Sequence, residues 1–272
     1  MAERRVGVLG ASSLVGADLL SALAAAGWSV IPVARKAPDP AGDAPIPHWV
    51  SLAPLWALPE HFERMQRQGA RRVVALSSTS VFTKADSPDR EEQAVAARLQ
   101  AGERQLQAWA EGQGITWVIL RPTLIYGRGR DRNVSEVARL IRRWGFFPLL
   151  GHAGGLRQPV HAADVARACV AALEAPAAAN RAYALSGGET LTYREMVVRI
   201  FEALGRVPRC VRVPLGVFRL ALKGLRLLPR YRHWTAAMAQ RMGEDLVFDH
   251  GAAQRDLGFA PRAFHPAAED LP

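Results

Sequence analysis

Seven residues near the N-terminus, Gly10-Ala11-Ser12-Ser13-Leu14-Val15-Gly16, have the types and spacing of a backbone turn that holds an anion. Gly10 lets the chain turn sharply out of the apolar run 6–9. Gly16 carries no side chain, so a following helix can pack closely on that strand. The first N–H groups of the helix, expected over 17–26, have no partner inside it. A pyrophosphate would satisfy them at the positive end of the helix dipole. Strand, glycine turn and helix in this order open a dinucleotide-binding βαβ unit, with Gly10, Ser12, Ser13, Leu14, Val15 and Gly16 at the phosphates. The middle glycine position of the pattern holds Ser13. It narrows the approach of backbone to phosphate and offers a hydroxyl in return.

A second chemical choice falls at the end of the next strand, expected over 28–35. An acid there would bind a ribose 2′-hydroxyl, whereas a basic residue suits a 2′-phosphate. The strand closes on Ala34-Arg35-Lys36, with no acid before Asp39. Arg35 can present a planar, bidentate fork to phosphate. This favours NADP(H) over NAD(H), the alternative being a surface arginine in an arginine-rich chain.

The elements that must position these residues alternate. Strands are expected over 48–53, 72–78 and 116–120, and helices over 59–68 and 89–111. Strands alternating with helices at this spacing give a parallel sheet with helices on both faces. From about residue 130 the pattern turns mainly helical, with short apolar runs near 182–185 and 209–213. The fold expected is α/β: a Rossmann-type doubly wound parallel sheet with a small, mainly helical C-terminal lobe. Residues 1–150 are assigned to the dinucleotide-binding domain. Residues 151–272 form the substrate lobe, with interleaved returns to the Rossmann core.

Composition supports one full core: 272 residues, 49% of them hydrophobic. Cys169 and Cys210 are the chain's two cysteines and stand far apart, so neither a disulfide framework nor a metal cluster is expected. Residues 1–5 lead straight into the first strand and no apolar run approaches the length of a membrane span, which makes a cytoplasmic setting the default. The net charge of +10 is unevenly placed: 194–232 holds ten Lys or Arg against two Glu. The chain has only three lysines, Lys36, Lys84 and Lys223.

Four segments carry a family likeness: Gly10 to Gly16, Ala75-Leu76-Ser77-Ser78-Thr79-Ser80-Val81-Phe82, Leu120-Arg121-Pro122-Thr123-Leu124-Ile125-Tyr126-Gly127, and Gln158-Pro159-Val160-His161-Ala162-Ala163-Asp164-Val165-Ala166. In this order and spacing they resemble the short-chain dehydrogenase/reductase superfamily, in its extended or atypical, epimerase/dehydratase-like branch. The resemblance implies that Ala53, Ser77, Arg121 and Pro122 join the cofactor site. It implies that Ser78 or Thr79 hydrogen-bonds the substrate oxygen, and that Arg157 meets an anionic group such as a sugar-nucleotide diphosphate.

Two departures stand out. The strand and helix that members usually carry between residues 36 and 48 are reduced to a loop. The Tyr-x-x-x-Lys pair that opens the long helix of catalytic members is missing. With Glu103 aligned on the acid that usually follows the pair, Val95 and Leu99 take its two positions. A carbonyl reduction would then need another acid. The candidates are Ser78, Thr79, Ser80, Lys84 and Tyr126. Against them stand Lys84 as a solvated loop lysine and Tyr126 as a turn tyrosine packed under the lobe. His161 reads as a structural histidine at a strand end, and Asp164 as the N-cap of a helix over 165–173.

A last feature lies in the basic segment. Arg219, Lys223, Arg226 and Arg230 form one helical stripe, and Leu215, Phe218, Leu222 and Leu225 another. Such a helix over 214–230 either packs on the lobe with a solvated basic face or docks a membrane surface or acidic protein. No recognition motif accompanies the charge, so nucleic acid is not an expected partner. Two functions follow as expectations. One is an NADP(H)-dependent oxidoreductase or epimerase-like enzyme on a small polar or sugar-nucleotide-like substrate. The other is a noncatalytic cofactor-binding sensor or accessory protein.

Overall fold

The computed structural model describes residues 4–34, 44–214, 216 and 241–272. Arg35 and nearly all of 214–230 therefore lie outside the described residues, Pro214 and Gly216 excepted. The N-terminal half alternates as the sequence demands. It runs β1 (Arg5–Leu9), α1 (Gly16–Ala25), β2 (Ser29–Val33), β3 (His48–Ser51), a 3₁₀ turn (Leu55–His61) leading into α2 (Phe62–Arg67), β4 (Arg72–Leu76), the short α3 (Ser80–Thr83), α4 (Arg90–Gly112) and β5 (Thr116–Pro122). The expected helix over 59–68 is thus part 3₁₀, with Pro59 inside that tighter turn. A proline lacks the N–H that a longer α-helix would need there.

Six parallel strands form one sheet in the order β10-β5-β4-β3-β1-β2, where β10 is Arg181–Leu185. Strand pleating sends alternate residues to opposite faces. Val6, Val8, Val74, Val118 and Leu120 pack with α1, α6 (Ala162–Glu174) and α8 (Gly251–Leu257). Leu9, Trp49, Val73, Ala75, Trp117 and Ile119 pack with the 3₁₀ turn, α2 and α4. Gly7 is required by this layering, because a Cβ there would sit 2.6 Å from the Trp49 ring. Among the described residues β2 is the outer strand, and it carries Pro32 opposite Val8. Sheets tolerate proline at such an edge, where its missing N–H breaks no ladder bond.

The rest forms a lobe over the carboxyl ends of the strands. It contains β6 (Ile125–Tyr126), α5 (Val134–Trp144), β7 (Phe147–Leu150), β8 (Leu156–Arg157), β9 (Val160–His161), β11 (Leu191–Thr192), α7 (Tyr193–Ala203) and β12 (Cys210–Val213). Its core joins Tyr126, Val137, Ile141 and Phe147 to Met196, Ile200, Phe264 and Leu271. Residues 126–150, grouped by sequence with the cofactor half, share this core with the C-terminal lobe.

The N-cap of α6 is His161, not Asp164. Its Nδ1 accepts from the Ala163 N–H at 3.1 Å, which leaves Nε2 to donate to Asp270 at 2.9 Å. Asp164, buried as the third residue of the helix, accepts from the Arg262 N–H at 2.9 Å and pairs with Arg167 and Arg262. It ties α6 to the C-terminal segment. No helix among the described residues is long and apolar enough to cross a membrane. Replacing Asp164 by Ala strands these donors around a buried site and should cost about 2 kcal/mol. A urea unfolding midpoint unchanged in Asp164→Ala would show the tie to be dispensable.

Candidate active site

The glycine turn is built tightly against its neighbours. Gly10 adopts φ +74°, and a Cβ on it would meet the Ala53 nitrogen at 2.7 Å, where β3 ends. A Cβ on Gly16 would fall 1.9 Å from the Ala11 carbonyl oxygen. Helix α1 begins with no side-chain cap, and Ser13 Oγ is buried without a partner. Uncapped helix N–H groups and an orphaned hydroxyl at one turn are what a pyrophosphate would satisfy. The turn over residues 10–16, with Ala53 alongside, therefore fits a dinucleotide, which its backbone and Ser13 would hold.

Two arginines not singled out by sequence stand at the same turn. Arg128, in the left-handed region at φ 57°, forms a bidentate pair with Asp18 in the first turn of α1, at 2.9 and 2.7 Å. The guanidinium holds the Asp18 carboxyl below its usual range. Arg130 donates to the Ser12 carbonyl at 3.3 Å. Their spacing after Tyr126-Gly127 gave no periodic signal, since both lie in irregular chain.

Ser77 and Arg121, expected at the cofactor, spend their polar groups on Glu103. Ser77 Oγ donates to Glu103 Oε1 at 2.6 Å, while Arg121 donates through Nε at 2.9 Å and Nη2 at 2.6 Å. The Glu103 carboxylate is buried in the middle of α4. Nearby, the positions aligned with the missing catalytic pair hold Val95, packed against the core, and Leu99, buried within it. The Pro122 carbonyl accepts from the Thr79 N–H at 3.1 Å and from its hydroxyl at 3.3 Å.

Beyond the strand ends lies a cavity of about 380 Å³ between sheet and lobe. From the sheet side it is lined by Ser78, Thr79, Ser80, Thr83 and Lys84. Ser78 Oγ accepts from the Ser80 N–H at 3.1 Å, which leaves its own proton free to donate into the cleft. Thr79, by contrast, is buried and bonded to Pro122. Lys84 is not a solvated loop residue. Its Nζ lies 3.8 Å from Glu92, a carboxylate shared with Arg241 and with Ser87 Oγ at 2.7 Å. Burial lowers the Lys84 pKa, with Glu92 opposing and Arg241 adding to the shift.

Tyr126 and Arg157 stand apart from this chemistry. Tyr126 is 1% exposed, its ring edge-on to His161 and Phe264, and its hydroxyl has no partner. It sits in the lobe core and outside the cavity lining, and burial there raises its pKa. Arg157 lines the cavity, yet it donates to the carbonyls of Leu156 and Glu244 at 2.8 and 2.7 Å and also to that of Arg241. Its cation lies over the Tyr193 ring. The fork is thus committed to pinning residues 241–244 rather than free for an anionic ligand. No group of three metal-ligating side chains occurs among the described residues.

Residues 61–186 match the NAD dependent epimerase/dehydratase family. The segment spans β4, Ser78, α4 and β5 and closes at the last sheet strand. Over this segment the chain is similar to the extended, epimerase/dehydratase-like short-chain dehydrogenase/reductases. Within this branch it is 28% identical over 216 residues to a 2-alkyl-3-oxoalkanoate reductase of Stenotrophomonas maltophilia, covering 71% of this chain and 65% of that protein. It is 32% identical over 122 residues to NADH dehydrogenase [ubiquinone] 1 alpha subcomplex subunit 9 of Arabidopsis thaliana, covering 44% of this chain and 29% of that one. Several curated relatives are matched over half or less of their length. Among solved structures, RMD of Pseudomonas aeruginosa complexed with NADPH superposes with TM-score 0.72 at 18% identity, over 96% of this chain and 93% of that one.

Removing the Glu103 carboxylate leaves Arg121 as a half-enclosed, unpaired cation. Glu103→Ala should therefore cost about 3 kcal/mol. The double variant Glu103→Leu with Arg121→Met should recover much of that loss in denaturant titrations.

Proposed function

We propose that this chain is a short-chain dehydrogenase/reductase and an NADP(H)-preferring reductase of a carbonyl substrate, with Ser78 and Lys84 replacing the missing Tyr/Lys pair. The observation that carries it is the single cavity wall on which Ser78, Ser80 and Lys84 meet. Likeness to a 2-alkyl-3-oxoalkanoate reductase and to an NADPH-bound structure supports the same reading.

A bound reduced nicotinamide would supply a hydride to the carbonyl carbon. Ser78 donates its free hydroxyl proton as a hydrogen bond to the carbonyl oxygen and orients it. The Lys84 ammonium stabilises the developing alkoxide and gives it a proton, leaving a neutral amine that solvent reprotonates. Glu92 fixes the ammonium in the cleft, and the desolvation that lowers its pKa makes the proton easier to give. NADP(H) preference rests on Arg35 at the end of β2, beyond the described residues.

The test is NADPH oxidation with carbonyl substrates. Lys84→Met should lower kcat/KM about a hundredfold, and Ser78→Ala by a similar factor. The ammonium must be present for turnover. Its depressed pKa therefore puts the alkaline limb of the rate profile below the ordinary lysine value of 10.5. Lys84→Met should abolish that limb, whereas a retained limb would remove Lys84 from the chemistry. Calorimetry should show tight NADP(H) binding that weakens selectively in Arg35→Ala, and a general loss of cofactor in Gly10→Ala.

A second reading, a cofactor-holding accessory protein, draws on the apolar Val95 and Leu99 and on the likeness to a subunit of NADH dehydrogenase. In that case cofactor binds without turnover. Docking would run through the basic stripe of 214–230, and Arg219→Glu with Arg226→Glu would abolish it.

A further inference from the structure

Resting on the reductase reading, we infer that the cavity takes a carbonyl compound with an unbranched apolar chain, and that the chain lies in the lobe. The two ends of the cavity differ in kind. Hydroxyls and an ammonium line the sheet side, at Ser78, Ser80 and Lys84. The lobe side is walled by Leu140, Phe147, Leu150, Met196, Met242 and Leu246. Leu140, Met242 and Leu246 are only partly buried, so the cavity leaves apolar surface uncovered.

The enclosed polar groups on the lobe side are already spent. Arg157 is bonded to three backbone carbonyls. Gln158 gives Nε2 to Thr190 at 3.2 Å, and its Oε1 accepts from the Phe248 N–H at 2.7 Å. Arg241 pairs with Glu92, and the Tyr193 ring lies under the Arg157 cation, while Arg132, Asn133 and Glu136 stand exposed at the start of α5 on the rim of the cavity. A sugar placed in the lobe would bury hydroxyls without partners, which is costly, whereas each methylene of an alkyl chain gains by leaving water.

The geometry also fixes the direction. A carbonyl held at Ser78 directs its substituent away from the sheet, between α5, β7 and Met196 of α7. Met196 and Met242 suit a flexible chain, since thioether side chains adapt to irregular apolar shapes.

Calorimetric titration of the full chain, with and without saturating NADP⁺, tests this with straight-chain methyl ketones of five to ten carbons. UDP-glucose serves as the polar arm. Affinity should rise roughly fourfold per added methylene until the cavity is filled, and UDP-glucose should not bind. Leu140→Trp and Leu124→Trp, the latter also on the cavity lining just before β6, should each erase the gain of the longer chains while leaving the five-carbon ketone unchanged. Two variants on different elements guard against a local folding defect. A flat chain-length series, or UDP-glucose binding above the ketones, would overturn the inference. A rising series without NADPH oxidation would leave the apolar cavity standing and remove the reductase reading. Oxidation of NADPH with a flat series would do the reverse.

Discussion

The Glu103 carboxylate ties three elements together. From α4 it reaches Ser77 after β4 and Arg121 near the end of β5, neighbouring strands in the sheet. An isolated carboxylate at that depth would be prohibitively costly, so the charge enforces the approach of both partners. The residue after Ser77 is Ser78, and the same turn feeds α3 and Lys84. The position of the sheet-side edge of the cleft therefore depends on one ion pair made by α4. Arg121 extends the arrangement outward: its guanidinium lies 5.1 Å from the ring of Phe82, which is 53% exposed.

A second set of ties joins the lobe to the sheet. Asp164 grips the C-terminal segment, His161 caps α6 while bonding Asp270, and Arg128 reaches back to Asp18 beside the glycine turn. Each crosses between segments distant in sequence. Polar contacts between distant segments thus fix how the lobe sits on the sheet. The shape of the cleft belongs to the whole chain more than to any single segment.

Much of the fold was legible because it rests on local rules. Val73-Val74-Ala75 and Trp117-Val118-Ile119 are apolar on both faces, the mark of strands buried between two helical layers. Gly10 and Gly16 announced a turn too tight for side chains. What escaped the sequence was partnership. Lys84 looks like a loop lysine until Glu92 and Arg241 close around it. Asp164 has the composition of an N-cap, but His161 sits one turn position earlier with a suitable ring nitrogen. Arg157 follows a family pattern for anions, yet its donors are taken by carbonyls 84 and 87 residues away in the chain. Pairings at such separations leave no periodic trace.

The proline in β2 has a consequence for the chain's life in a crowded solution. An outer strand normally exposes a row of unpaired amides, a template on which another chain can add. This sheet ends, among the described residues, on a strand that carries Pro32. With that N–H missing, an incoming strand could not complete its ladder. Among the described residues, that margin is thereby a poor seed for self-association.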